Sequence, residues 1–269
     1  MRDFTLQKYR QLLLVLQKSG YQFYTLETYY QQREIGFECN KFVLLRHDVD
    51  LKASNSLATA QIEAELGISA SYYFRVVPQS NQPAIIKAIA DLGHEIGYHY
   101  EDMALCGGDA VKARKHFEQQ LTHFRQFYPV KTICMHGAPQ SKFDGKELWK
   151  TSDYRTFGII GEPYFDIDYS DMFYLTDTGR RWDGFHVSVR DKIPMYQDEW
   201  IKKGLLFHAT DDVITAIASG QLPEHVLITT HPQRWTDNLG AWVSEYLLQT
   251  LKNQVKRGLI ARKQLRESK

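Results

Sequence analysis

F-V-L-L-R-H-D-V-D, residues Phe42 to Asp50, is an apolar run that ends abruptly in charged and imidazole groups. Four apolar residues in a row fit a strand covered on both faces, the pattern of a parallel sheet flanked by helices. In an extended chain Arg46, Asp48 and Asp50 then point one way, and His47 and Val49 the other. Two carboxylates sharing a face are costly to bury unpaired, so they are expected to meet cations, a metal or water at the strand end. The same residues also fit a solvated turn in which an Asp caps the next helix.

Downstream the chain alternates. Ser54 to Leu66 reads as a helix capped by Ser54 and stopped by Gly67, and Ser71 to Val77 as a strand closed by Pro78. Pro83 to Leu92 is helical, His94 to Glu101 (H-E-I-G-Y-H-Y-E) extended, Asp109 to Tyr128 a long amphipathic helix, and Lys131 to His136 a short strand. After a less regular stretch from Thr151 to Pro194, rich in Asp, Gly and Tyr, regularity returns. Leu205 to His208 reads as a strand, Asp212 to Ala218 as a helix, Val226 to Thr230 as a strand ending at His231-Pro232, and Trp242 to Lys256 as a last helix. Alternation with short connections predicts an α/β fold, a parallel sheet or barrel whose active site lies at the C-terminal strand ends.

Upstream, Asp3 to Lys18 has a helical apolar period that stops at Gly20, the mark of an N-terminal packing helix. Tyr21 to Glu34 carries five aromatics, which fit core packing better than a sugar site. No internal repeat or low-complexity linker divides the chain, so a single domain is expected: 1–40 an N-terminal helical extension, 42–232 the core and 233–269 a C-terminal helix.

At 269 residues and 43% hydrophobic, the chain can bury a sizeable core. A net charge of +1 offers no electrostatic argument for nucleic acid, and the basic residues from Lys252 to Lys269 read as a solvated helix end. Cys39, Cys106 and Cys134 are odd in number and widely spaced, against a disulfide framework and for a reducing compartment. Leu12 to Leu16 is too short for a secretory signal, and no stretch approaches the roughly 20 apolar residues of a membrane span. A cytoplasmic location is the expectation; the oligomeric state is left open.

Four predicted strands thus end in Asp48 and Asp50, His99 and Glu101, His136, and His231. One His at a strand end is more often structural than a ligand. Several on one rim point to a metal or acid-base centre. Within the His94 to Glu101 strand, Glu95, Gly97, His99 and Glu101 share a face, so His99 and Glu101 can reach one ion while Gly97 leaves room.

These residues resemble the polysaccharide deacetylases of the NodB-homology type. L-L-R-H-D-V-D is similar to that family's first motif, in which an apolar strand ends in two aspartates. D-L-G-H-E-I-G-Y-H, Asp91 to His99, is the strongest match, since the family typically has G-H-E-I-G-N-H. V-L-I-T-T-H-P, Val226 to Pro232, resembles the late motif with a functional His, and T-I-C-M-H-G-A-P, Thr132 to Pro139, stands where the family usually supplies Arg and Pro. The resemblance spans Phe42 to Pro232 and implies a deformed parallel (β/α) barrel, seven-stranded. It further implies Asp48 as general base, Asp50 and His99 as metal ligands and His231 as general acid.

The chain departs from the family twice. Val49 separates the two aspartates, which leaves their base and ligand roles exchangeable, and Met103 stands where the family has a second ligand His. Glu101 is the first candidate to replace it and His136 the second. Arg46 holds the base ionised or forms a plain salt bridge. The chemistry implied is metal-assisted removal of an N-acetyl or related acyl group from a sugar or polysaccharide precursor, with Zn2+ the expected ion and Mn2+, Mg2+ or Fe2+ alternatives. Three other readings stay open: a glycan-binding protein on the same fold, a non-haem iron site of Asp50, His99 and His136, and a phosphohydrolase built on the His47-Asp48 pair.

Overall fold

The computed structural model describes residues 2–36, 39–138, 140–183, 188 and 192–267. Pro139 of the T-I-C-M-H-G-A-P stretch and the last two residues of the basic tail lie outside them. In chain order the elements are α1 (Leu6–Lys18), β1 (Gln22–Tyr24), α2 (Leu26–Glu34), β2 (Phe42–Val49), α3 (Ala53–Glu65), β3 (Ser71–Phe74), α4 (Pro83–Asp91), β4 (Glu95–Tyr100), α5 (Asp102–Leu105) and α6 (Ala110–Phe124). They continue with β5 (Ile133–Met135), α7 (Pro163–Asp166), β6 (Phe173–Thr176), α8 (Pro194–Lys202), α9 (Thr210–Ala218), β7 (His225–Thr230) and α10 (Leu239–Glu267).

Every strand pair is parallel. The sheet runs β5-β4-β3-β2-β7-β6 and curls into a half-barrel with helices around it. β2 is buried along its whole length and organises the rest. One of its edges carries β7 from Phe42 to His47; the other carries β1 beside Phe42 to Leu44 and then β3 beside Arg46 to Val49. The expected seven-stranded barrel is corrected here. Six strands follow one another and β1 pairs with β2 off that path, but the sheet is open, because its edge strands β5 and β6 do not pair with each other among the described residues.

Local sequence explains most elements. Thr5 caps α1 by accepting from the Lys8 N–H, and Tyr9, Leu12, Leu13 and Leu16 form its buried stripe. Ser54 does not cap α3. Lys52, in the left-handed region at φ 51°, precedes the first helical residue, Ala53. Leu205 to His208 is not a strand, although Leu205 and Phe207 are buried. Phe173–Thr176, within the stretch expected to be irregular, is one. Gly97 makes room for a ring, not an ion, since a Cβ there would overlap Tyr73.

The alternation read along β2 holds to Val49. His47 faces the helices, with Nε2 2.7 Å from Glu63 Oε1, Nδ1 2.6 Å from Thr230 Oγ1 and its ring stacked on Tyr72 at 4.1 Å. Arg46 and Asp48 face the other way and bond to each other. His47 and Asp48 therefore do not converge on one point. Because all strands run the same way, their C-terminal ends form a single rim.

Candidate metal centre

At the end of β2, Arg46 Nε and Nη2 donate to Asp48 Oδ1 and Oδ2 at 2.8 and 2.6 Å, both side chains buried. Burial raises the Asp48 pKa, but Arg46 first and His99 second outweigh it, and the carboxyl is held well below its ordinary range. Asp48 is thus ionised at neutral pH. The chain leaves the strand after Val49, and Asp50 turns onto the rim with its side chain one-fifth exposed.

Three imidazoles approach Asp50 from three other strand ends. His99 Nε2 is 3.7 Å and His136 Nε2 3.4 Å from Asp50 Oδ1, while His231 Nε2 is 4.0 Å from Oδ2. Each ring is fixed from behind through Nδ1: His99 by Cys134 O at 2.9 Å, His136 by Glu101 Oε2 at 2.8 Å and His231 by Asp177 Oδ1 at 2.6 Å. These oxygens accept only, which places the proton on Nδ1 and leaves a lone pair on Nε2 of each neutral ring. Burial, more than any neighbour, pushes His99 down to about 4, so it is neutral at physiological pH.

Lone pairs on His99 and His136 therefore face Asp50 Oδ1, a buried oxygen without a hydrogen-bond partner. Such an orphan calls for a positive charge. Asp50, His99 and His136 bring one ligand atom each within 4.8 Å of one another and form a group that could hold a metal ion. A second such group, Asp48, His99 and Cys134, overlaps it through His99. The donor set fits a divalent metal, with neutral imidazole nitrogens, a carboxylate oxygen and a backbone or carboxylate partner behind each ring.

Glu101 lies beside this group, not in it. Its carboxylate accepts from Arg75 Nε and Nη2 at 2.8 and 2.9 Å and from His136 Nδ1. Expected to share the face of His99 by strand alternation, it does not, because β4 ends at Tyr100 and Glu101 has φ −143° and ψ 27°. Met103 is buried in the core. The structure thus brings Arg46, Asp48, Asp50, His99, His136 and His231 to one rim and puts Glu101 behind His136.

Sequence reasoning missed Asp177 and Arg75. Asp177 follows β6, is fully buried, and accepts from the His231 N–H at 3.0 Å, from His231 Nδ1, from Trp235 Nε1 at 2.8 Å and from Arg234. Burial and Arg234 press the His231 imidazole down, but Asp177 and Asp50 prevail and raise it. A signal was present. Phe173 to Asp177 is a short apolar run ending in an acid, the same pattern as Phe42 to Asp50.

Comparison with protein-family models finds none that matches the chain, and comparison with curated proteins finds no match either.

Proposed function

We propose that the protein is a metal-dependent hydrolase that removes an N-acetyl or related acyl group from a sugar or polysaccharide precursor. The observation that carries this reading is the convergence of three Nδ1-anchored imidazoles on Asp50, whose Oδ1 is orphaned between His99 and His136, with Asp48 beside His99. Asp50, His99 and His136 would hold the ion. When bound, a divalent ion supplies a Lewis acid that polarises a carbonyl oxygen and lowers the pKa of water from about 15.7 towards about 7.

The remaining groups take acid and base roles. Asp48, kept anionic by Arg46, accepts the proton of the attacking water; His231, whose pKa Asp177 raises, donates a proton to the departing amine. His136 here stands in for the family's second His, and Glu101 orients it instead of ligating. The motifs at Phe42 to Asp50, Asp91 to His99 and Val226 to Pro232 support the NodB-type reading, and the acyl sugar is taken from that resemblance.

The test is acetate release from N-acetylated sugars and oligosaccharides by protein loaded with Zn2+, Mn2+ or Fe2+. Release that disappears in His99→Ala and falls in Asp48→Asn supports the reading; tight metal binding with no release from any acylated sugar overturns it. One observation favours a second reading: two His and one carboxylate are also the ligand set of non-haem iron oxygenases. Oxygen consumption by the Fe2+-loaded protein, with no hydrolysis, would select it.

A further inference from the structure

Helix α10 is amphipathic in the reverse sense. Leu239, Val243, Leu247, Leu251 and Val255 follow at four-residue steps, each 39 to 64% exposed, and Leu248 beside them is 47% exposed. Apart from half-buried Trp242, whose Nε1 donates to Asp3 O at 2.6 Å, the residues turned to the body are polar. Glu245 and Gln249 are buried, Asn253 Nδ2 donates to Gly179 O at 2.9 Å, and Lys52 Nζ is 3.8 Å from Glu245. A surface helix ordinarily buries its apolar stripe, and such surface left in water forgoes the hydrophobic gain of burial.

Charge and pitch identify what covers this face. From Lys252 onward the helix carries Lys252, Lys256, Arg257, Arg262, Lys263 and Arg266 against a single acid, Glu267. Between Leu239 and Leu251 the only charged residue is Glu245, which is buried. A second copy of α10 laid antiparallel would bring no exposed acid to these cations, and a parallel one would set cations against cations. At about 100° per residue, the stripe from Leu239 to Val255 winds over about 160° of the helix surface. That is too broad for the narrow seam of a two-helix coiled coil and suits a helix lying in a lipid interface.

We infer that α10 docks the protein on an anionic lipid bilayer, its aliphatic face from Leu239 to Val255 in the acyl boundary, the basic sequence from Lys252 onward favouring anionic headgroups. Lys and Arg near such a surface add an attraction that salt screens. The helix is seated on segments that leave the rim: Lys52 follows Asp50, while Gly179 and Arg180 follow Asp177, and Arg180 Nη1 donates to Trp242 O at 3.3 Å. Docking would bring the candidate centre to the membrane surface. The inference does not depend on the hydrolase reading.

The full chain is sedimented with vesicles of phosphatidylcholine alone and of phosphatidylcholine mixed with phosphatidylglycerol, at low and high salt. Binding to the anionic vesicles about tenfold or more above the neutral ones, reduced by salt, is expected. Leu247→Glu with Leu251→Glu should abolish it while circular dichroism and divalent-metal affinity stay unchanged. Sedimentation velocity covers the other occupant: a dimer lost in the same double variant, without vesicle binding, overturns the inference in favour of a second copy. A monomer that binds neither vesicle overturns it outright.

Discussion

His136 Nδ1 lies 2.8 Å from Glu101 Oε2, and the same carboxylate is gripped from behind by Arg75 through two charge-assisted bonds. The relay Arg75, Glu101, His136 fixes the far ring nitrogen towards Asp50 Oδ1. A carboxylate behind a ligand His sets its tautomer and raises its basicity, an effect on metal affinity of about 10 to 100-fold. Glu101→Gln is therefore expected to weaken Zn2+ or Mn2+ by about that factor in competition titrations. His136→Ala is expected to cost more. If Glu101→Gln proved the worse of the two, Glu101 would be the ligand after all.

Asp177 plays the corresponding part for His231 but stands outside the metal group. Asp177→Asn removes the charge that raises the imidazole, so His231 should lose its proton at lower pH than in the wild type. The alkaline limb of the pH profile of kcat/KM then shifts to lower pH, and activity at neutral pH falls by about 10² to 10⁴-fold, the usual worth of acid-base help. Metal content should not change. Loss of metal with activity would show that Asp177 supports the ligands instead.

The rim was legible because each parallel strand announces itself as an apolar run with a polar end, and parallel strands all finish on one side. Side-chain direction was legible only while the chain stayed extended. Arg46, His47 and Asp48 sort to opposite faces as read, whereas Glu101 falls one residue past β4 and loses the alternation that placed it beside His99. Asp177 escaped because β6 has four residues in a stretch crowded with Asp, Gly and Tyr. Closure of the sheet was not legible at all, since it depends on how far β5 and β6 extend, not on the motifs.

Arg46 and Asp48 test whether a buried pair serves stability or chemistry. Asp48→Asn leaves the guanidinium buried without its anion, with Nη1 already unpartnered, and is expected to cost about 3 to 5 kcal/mol in urea denaturation. Adding Arg46→Met removes the stranded charge and should restore much of that stability. Activity should stay lost in the double variant, because the carboxylate is still absent. Recovery of both together would make Asp48 a structural partner and nothing more.

His99 and Glu162 impose opposite pH dependences on the metal-free fold. Burial pushes His99 down to about 4 from the 6.5 of a free imidazole, so between those values the unfolded chain binds the proton and the folded one does not. This contribution rises with pH through that window and is complete above it. Glu162 is fully buried, and burial pushes it up to about 7 from 4.5, against hydrogen bonds from the N–H groups of Met135 and Tyr164. The folded state then holds the extra proton, and stability falls as pH rises from 4.5 to 7. Each shift is worth on the order of 3 kcal/mol, so the two nearly cancel in the wild type. Single variants expose them. In chelator, the stability of His99→Gln relative to wild type should decline by about that amount between pH 4 and 6.5, and that of Glu162→Gln should climb between pH 4.5 and 7. Parallel curves for variants and wild type would mean that neither group titrates as its burial dictates.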